Sequence, residues 1–292
     1  MVELTDLIST RSLVLGMVRP DNSLPADELY DVALTCGFTV HQVRQCLARL
    51  VQEDIFSQEG QGRQALFTAT AKGRRQIDPQ DEFLRLAWSL DRPNASWDGC
   101  WHLVGFTIDE GRRSERNALR DHIVRILSGA PLANGLYVSP HDWDAAIRRV
   151  ATNLGVADRM IYIPSRNLTV GDQSEPRALA ALLWDLKDLA DRWSTFVEET
   201  THILDQLEQA TDTTQALAAV VAVVARWGVI LEDDPLLPPE LLPEGWQGAT
   251  ARRLFVEASN QARVLRDEAQ IPALFRRFDT VLDEIQTAPV TN

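Results

Sequence analysis

TVHQVRQCLARL, residues 39–50, predicts one amphipathic helix with a polar edge. Thr39 can cap its first turn, and Gln42, three residues later, completes a capping box. Apolar residues then recur at spacings of three and four, which is typical of the buried face of a helix. They are Val40, Val43, Leu47 and Leu50. With these side chains inward, we expect the polar residues between them to face solvent or to lie on the flanks.

Helices are predicted before this stretch and a β-hairpin after it. The second helix runs from Pro25 to Gly37, because proline suits a helix start and glycine suits a helix end. Two short β-type stretches, residues 55–58 and 65–68, flank a glycine-rich loop and predict the hairpin. Three helices followed by a hairpin predict a winged helix-turn-helix domain within residues 1–90.

The charge distribution limits where a duplex could bind. The formal net charge is −13, which by itself argues against a nucleic-acid binder. Residues 1–77 carry eight basic and nine acidic side chains, whereas residues 39–77 alone carry six basic and three acidic ones. Any cationic surface is therefore small and confined to one stretch, and the acidic remainder would repel DNA.

The polar edge of the 39–50 helix and the basic residues near the hairpin are the candidate DNA contacts. Early positions of a recognition helix reach base edges in the major groove, where Gln pairs with adenine and Arg with guanine. Because Gln42 is also the cap partner, Arg44 and Gln45 are the stronger candidates for base contacts. Arg49 suits a phosphate, and Arg63 at the hairpin tip suits a minor groove or the backbone. The full candidate set is Thr39, His41, Gln42, Arg44, Gln45, Arg49, Arg63, Lys72, Arg74 and Arg75.

Residues 97–172 predict a small α+β domain of the ferredoxin-like type. Three β-type stretches begin at Trp101, Gly135 and Met160, and two helical stretches separate them. Ser114 is the predicted cap of the first helix, and Asp142 is the predicted cap of the second. The apolar face predicted for the first helix consists of Leu119, Ile123 and Ile126.

Residues 175–292 predict a helical C-terminal domain. Large apolar residues step by three and four at its start, a heptad-like seam; they are Leu179, Leu182, Leu186, Leu189, Trp193 and Phe196. Two interpretations stay open, core packing within a bundle and a dimer interface. Four prolines within residues 233–245 predict an extended connector, and two further helices are predicted at 249–268 and 272–286.

Enzymatic and metal-binding interpretations find little support in the sequence. The five histidines lie far apart without metal-ligand spacing, and the three cysteines are too scattered for a zinc site or disulfide framework. No phosphate loop or nucleophile elbow occurs. Asp109 could serve a metal-dependent nuclease, which is an alternative function class. We nevertheless expect no enzyme, no metal and no cofactor.

The cellular location is predicted from two sequence features that we do not find, a signal peptide and a membrane-spanning segment. The first residues show no basic segment followed by an apolar one, as a signal peptide would. No apolar run reaches the roughly 20 residues that span a bilayer. We expect a cytoplasmic protein without a membrane partner, associated with the nucleoid when it is bound to DNA.

Six segments in this order resemble the PaaX-type family of repressors, named for the phenylacetic acid catabolism regulator. They are Thr10–Leu15 (TRSLVL), Val43–Asp54 (VRQCLARLVQED), Gly62–Arg75 (GRQALFTATAKGRR), Trp97–Phe106 (WDGCWHLVGF), Gly135–Trp143 (GLYVSPHDW) and Asp234–Trp246 (DPLLPPELLPEGW). The resemblance implies a winged helix, a ferredoxin-like middle domain similar to a CRISPR-associated endoribonuclease subunit, and a helical domain for effector binding and dimerisation.

The resemblance also implies a function. Such proteins are homodimers that repress aromatic-catabolic operons and leave the DNA when an aryl-CoA thioester such as phenylacetyl-CoA binds. A CoA ligand needs cations for its phosphates and an apolar slot for its acyl group. The candidates are Arg112, Arg113, Arg116, Arg148 and Arg149 for the phosphates, and Trp101, Trp193 and Trp227 for the slot. A winged-helix module that binds proteins and not DNA is the remaining alternative.

Overall fold

The chain folds into two compact units of mixed helix and sheet. The computed structural model describes residues 9–92, 96–207 and 213–269, and positions 280, 283 and 284. The first unit contains Met1–Trp88, Ser194–Val229 and Gly248–Asn292, and the second contains Ser89–Trp193 and Ile230–Gln247. The α+β prediction is confirmed, since both sheets are antiparallel and the described elements after residue 175 are helical. The boundaries predicted for three consecutive domains stay a prediction.

The first unit begins with short helices and a three-stranded sheet. Its elements in chain order are α1 (Thr10–Gly16), β1 (Ser23–Pro25), α2 (Ala26–Thr35), α3 (Val40–Gln52), β2 (Phe56–Glu59), β3 (Leu66–Ala69) and α4 (Ala71–Ser89). The strand order is β1-β3-β2. The helices and hairpin predicted around α3 are present, whereas β1, which pairs with β3, was not predicted.

Helix α3 has the predicted capping box. The Thr39 side chain accepts a hydrogen bond from the Gln42 backbone N–H (3.2 Å), and Gln42 Oε1 accepts one from the Thr39 N–H (2.8 Å). Val43, Leu47 and Leu50 are buried as predicted. The prediction for Val40 was wrong, because its side chain is 37% exposed. A helical side chain points back towards the N-terminus, so at the first helical position it points beyond the end of the helix.

One apolar cluster joins α1, α2, α3, the three strands and α4 in the first unit. Buried side chains of α1, α2, α3 and the three strands contact one another, and Ile77 of α4 belongs to the same cluster. Helix α9 (Thr213–Leu231) contributes Ala222, and helix α10 (Gly248–Ala269) contributes Ala262 and Leu265. The core that supports α3 therefore includes C-terminal helices.

The second unit is built on a four-stranded sheet. Its elements in chain order are β4 (Trp101–Phe106), α5 (Arg113–Asp121), β5 (Ala130–Ala133), β6 (Leu136–Ser139), α6 (Asp144–Asn153), β7 (Met160–Ser165), α7 (Pro176–Leu183) and the first part of α8 (Leu186–Leu207). The strand order is β5-β6-β4-β7, with β-α-β-β-α-β connectivity. The sequence prediction was one strand short. The Asn134–Gly135 pair, a strong hairpin signal, marks the turn between β5 and β6.

Both faces of this sheet are covered by apolar side chains. Val104 and Phe106 pack with residues of α5 and α6 on one face. Trp101 and Leu103 pack with residues of α7 and with Leu237 on the other. Because successive strand residues point to opposite faces, β4 serves two cores with one nearly continuous apolar run.

The caps and the helical face predicted in this unit are partly wrong. Ser114 lies inside α5 and its hydroxyl donates to the Glu115 carboxylate, so it does not cap the helix. Ile126 is exposed because residues 122–126 form a π-helical turn, which rotates the side chains away from the α-helical pattern. Asp142 stands one residue before the N-cap, which is Trp143, so it is not the cap; its carboxylate accepts a hydrogen bond from the Asp144 backbone N–H (3.1 Å).

The heptad-like seam is largely a core feature of the single chain. Its members are buried except Leu182, which is 60% exposed. The seam is also interrupted, because α7 ends at Leu183 and α8 begins at Leu186. Core packing is therefore the interpretation that the structure supports for the buried members.

The remaining C-terminal predictions are confirmed where the structure describes the chain. Residues 233–245 contain no α-helix or strand, only the short 3₁₀ turn Pro239–Leu241. Helix α10 matches the prediction for 249–268. The helix predicted at 272–286 lies mostly outside the described residues. None of the described helices is long and apolar enough to cross a membrane.

Candidate nucleic-acid interface

The polar edge of α3 is exposed in the structure. Arg44 and Gln45 lie in the first half of the helix, on the side opposite its buried residues, and both are exposed. Within the part of the chain that the structure describes, neither side chain makes a hydrogen bond or an ion pair. His41 is exposed in the first turn. The helix thus presents a cation and an amide whose donors and acceptors face solvent.

Thr39 and Gln42 have a structural task at the start of α3. Gln42 Oε1 accepts bonds from both the Thr39 backbone N–H and the Thr39 hydroxyl, each at 2.8 Å. These bonds orient the first turn of the helix. A base contact by Gln42 would have to use its amide NH₂ group, so Arg44 and Gln45 remain the stronger candidates for base contacts.

A cluster of cations lies at the end of α3, around Glu53. Arg11 Nη1 donates to Glu53 Oε2 (2.8 Å), and this hydrogen bond lowers the pKa of Glu53 below its ordinary value. Arg49 and Lys72 lower it further by their charges. Lys72 Nζ also donates to the Glu53 carbonyl (2.7 Å). Sequence reasoning missed Arg11, since only the packing of α1 against α3 brings it here.

The other basic candidates are placed around the hairpin. Arg63 Nη2 donates to Asp31 Oδ1 of α2 (2.5 Å), and the two side chains are 56% and 52% exposed. Arg74 Nη1 donates to the Ala69 carbonyl (3.2 Å). Arg75 lies in α4, and its side chain is outside the described part of the structure. The hairpin cation is therefore paired within the protein but accessible.

The arginines predicted to bind a ligand have partners within the second unit. Arg112 donates to the Gly155 and Leu154 carbonyls (2.8 and 2.9 Å) after α6, so it satisfies the end of that helix. Arg116 donates to Glu110 (2.8 Å), and Arg113 lies 3.9 Å from the same carboxylate. Their charges lower the pKa of Glu110, with the Arg116 hydrogen bond as the largest cause.

The remaining two arginines lie on α6. The Arg148 guanidinium lies 3.9 Å from the centre of the Tyr162 ring. Burial lowers the pKa of the His122 imidazole, and the charge of nearby Arg149 lowers it further. Both arginines are exposed, so an anion could reach them.

The three candidate tryptophans are buried. Trp101 packs against Trp97 and Trp184 in the second unit (5.0 and 6.4 Å between ring centres). Trp193 donates its indole N–H to buried Asp234 (2.8 Å) in the same unit. Trp227 belongs to the first unit.

Candidate metal ligands converge on His102 in the second unit. Two groups of three have ligand atoms within 4.8 Å of one another; they are His102, Asp142 and Asp144, and Asp98, Cys100 and His102. Asp109 belongs to neither group and lies 3.9 Å from Arg159. Sequence reasoning missed the first group because 40 residues separate His102 from Asp142, and it overlooked the second although its members stand only two residues apart.

Two family models match the chain. "PaaX protein central Cas2-like domain" matches residues 94–179, and "PaaX-like protein C-terminal domain" matches residues 184–270. "Transcriptional repressor PaaX" of Escherichia coli (strain K12) is 27% identical over 225 residues, which cover 75% of this chain and 68% of the relative. The solved structure "Uncharacterized protein Rv0674 from Mycobacterium tuberculosis" is 25% identical with a TM-score of 0.50, and the match covers 89% of this chain and 98% of that one.

Proposed function

This chain belongs to the PaaX family, and we propose that it represses transcription by placing the polar edge of α3 in the major groove of operator DNA. The named relative is a transcriptional repressor and not an enzyme. The exposed pair Arg44 and Gln45 carries the proposal, because a capped helix with a buried opposite face holds both side chains towards solvent.

The DNA-binding domain would be a winged helix-turn-helix. Helices α2 and α3 supply the helix-turn-helix, and the β2–β3 hairpin supplies the wing beside it. Arg44 suits guanine and Gln45 suits adenine, and each good pair contributes roughly 1–3 kcal/mol of discrimination between bases. Arg11, Arg49 and Lys72 at the far end of α3 suit phosphates, which position the protein without reading sequence.

The test is DNA binding by the full chain, measured by fluorescence anisotropy on a duplex from upstream of its own gene. We expect R44A/Q45A to weaken specific binding by roughly 10- to 1,000-fold and to leave weak non-specific binding. R253A is the matched control, because Arg253 is an exposed arginine of the same compact unit on α10. Wild-type affinity in the R44A/Q45A variant would show that another surface reads the operator. Absence of any binding at low salt would favour the protein-interaction alternative.

The repressor would act as a homodimer on a palindromic operator in the cytoplasm, at the nucleoid. A two-fold DNA site matches a two-fold protein, and two recognition helices reach half-sites one helical turn apart. Light scattering of the full chain should give twice the monomer mass, and protected bases in footprinting should form two half-sites about 10 base pairs apart. A monomer on a single half-site would contradict the dimer.

The effector would be an aryl-CoA thioester such as phenylacetyl-CoA, and no resident cofactor is needed. Arg113, Arg148 and Arg149 are the exposed candidates for CoA phosphates, and Arg148 and Arg149 are neighbours on α6. We expect phenylacetyl-CoA to raise the thermal midpoint and to release the protein from DNA, because a ligand stabilises the state it binds. CoA and phenylacetate, each alone, are the controls. R148A/R149A should weaken the effect of the thioester, and an equal effect of CoA alone would contradict recognition of the aryl group.

A further inference from the structure

We propose that His102, Asp142 and Asp144 bind a divalent transition-metal ion in the second unit. One imidazole nitrogen and two carboxylate oxygens from these residues lie within 4.8 Å of one another, and His102 Nδ1 lies 4.0 Å from Asp142 Oδ1. These residues belong to the second unit and α3 belongs to the first, and nothing in the proposed repressor function requires a metal ion.

The sheet brings these ligands together. His102 is the second residue of β4 and pairs with Ser139, the last residue of β6. Asp142 follows in the turn after β6, and Asp144 begins α6. Antiparallel pairing of β4 with β6 therefore holds the imidazole beside the turn that carries both carboxylates.

The turn that carries the carboxylates is held at both ends. The His141 backbone N–H donates to Ser139 Oγ (3.0 Å), and His141 Nε2 lies 2.7 Å from the Leu236 carbonyl. Trp143 is buried on the other side of Asp142. Ligands carried by an anchored segment lose little conformational freedom when an ion binds, which favours affinity.

The donor set selects the class of ion. Imidazole with carboxylates suits Zn²⁺, Mn²⁺ and similar first-row ions, whereas Mg²⁺ prefers oxygen ligands alone. The Asp142 side chain is 74% exposed, so it can turn to shorten its distance to an ion, and water can complete the coordination. Asp142 Oδ1 accepts the Asp144 backbone N–H, which leaves Oδ2 to reach the ion.

A second donor set shares the same histidine. Asp98 and Cys100 also lie near His102, but the Cys100 thiol is buried and points its sulfur at the Trp101 carbonyl (3.7 Å). The Cys100 sulfur is closed off from solvent and directed at a carbonyl, whereas the Asp142 carboxylate is exposed and free to turn towards an ion. The open carboxylate set is therefore the one to which the ion is assigned.

The experiment is isothermal titration calorimetry of the full chain with ZnCl₂, and with MgCl₂ for comparison, after removal of any affinity tag and dialysis against a chelator. We expect one Zn²⁺ per chain and weaker Mg²⁺ binding. D142N/D144N should lower Zn²⁺ affinity by at least about tenfold, because even indirect contacts to a ligand are worth that much. An asparagine oxygen at position 142 still accepts the backbone N–H of residue 144, so this variant preserves that hydrogen bond.

Controls separate this site from others. H102Q should lose Zn²⁺ binding as D142N/D144N does, whereas D109N, at an exposed carboxylate of the same unit, should bind as wild type does. Circular dichroism checks that each variant is folded. Failure of the wild-type protein to bind Zn²⁺ would overturn the proposal, and so would binding that survives D142N/D144N. Loss of binding in C100S with retention in D142N/D144N would overturn it as well, by assigning the ion to the other set.

Discussion

At the residue scale, we expect the ion pair of Arg63 and Asp31 to limit how readily the hairpin contacts DNA in the proposed complex. The guanidinium at the hairpin tip already has a carboxylate partner on α2, and both side chains are more than half exposed. A phosphate must replace or share that carboxylate, and Asp31 itself repels the duplex. Exposed ion pairs are weak, so this competition changes binding modestly and is strongest at low salt.

Replacing Asp31 should therefore strengthen DNA binding. We expect D31N to raise affinity at low salt by about two- to fivefold, because Arg63 then contacts phosphate without competition. E59Q removes one exposed negative charge near the same hairpin without touching Arg63, so it controls for general repulsion. Titration by fluorescence anisotropy should show a larger gain for D31N than for E59Q. Weaker binding by D31N would instead mean that Asp31 holds the hairpin in its binding position.

Burial controls the chemistry of Cys36. Its thiol is buried at the end of α2, and loss of solvent raises its pKa from 9.0 to about 11. The neutral form is favoured in the folded state, so an unfolded chain ionises first as the pH rises. This contribution to stability is present below pH 9 and is lost as the pH rises from about 9 to about 11.

Two measurements check this prediction. At pH 8 a thiol reagent should label Cys36 only on unfolding, because the thiolate is the reactive form. Urea unfolding between pH 8 and pH 10.5 should show a steeper loss of stability in the wild-type protein than in C36A. Equal slopes for the two proteins would mean that Cys36 does not carry the effect.

At the element scale, two helical glycines differ in what surrounds them. A Cβ at Gly73, in the first turn of α4, would lie 2.2 Å from the Ile55 carbonyl oxygen. A Cβ at Gly228, in α9, would meet no atom within 4 Å. Helix propensity favours alanine at both positions. Packing around Gly73 therefore decides whether alanine there raises or lowers the free energy of unfolding.

The same substitution should thus have opposite effects at the two sites. We expect G73A to lower the free energy of unfolding by about 1–3 kcal/mol, because α4 must move away from the Ile55 backbone, which directly precedes β2. G228A should raise it by about 0.5–1 kcal/mol, the gain expected from propensity. Denaturant unfolding of both variants tests the pair. A stabilised G73A would show that α4 can shift at little cost.

At the scale of the whole molecule, charge confines DNA binding to one region. The net charge is −13, and residues 1–77 account for only one unit of it. We therefore expect the cations around Glu53 and on α3 to face DNA in the proposed complex while the acidic remainder repels it. Binding should depend on few phosphate contacts and should fail without them.

Salt dependence measures those contacts. The logarithm of the affinity should fall linearly with the logarithm of salt concentration, and each lost phosphate contact should reduce the slope by about 0.9. R11A should remove one phosphate contact and so reduce the salt slope by about 0.9, whereas R253A should leave the slope unchanged. An unchanged slope in R11A would mean that Arg11 serves only its ion pair with Glu53.

The sequence by itself determined α3 and the hairpin after it. The capping box spans four residues, and the spacing of Val43, Leu47 and Leu50 is a property of one helix. Such signals act within one or two turns, so no distant residue is needed to interpret them. Val40 deviates because it stands at the helix end, where burial depends on what lies beyond.

Only the tertiary structure decided which distant side chains meet. Pairing of His102 with Ser139 brings an imidazole beside two aspartates, and packing of α1 against α3 brings Arg11 to Glu53. The pairing of β1 with β3 and the position of Arg63 beside Asp31 are of the same kind. Contacts of this kind depend on strand pairing and packing between segments far apart in the chain, so the spacing of neighbouring residues cannot predict them.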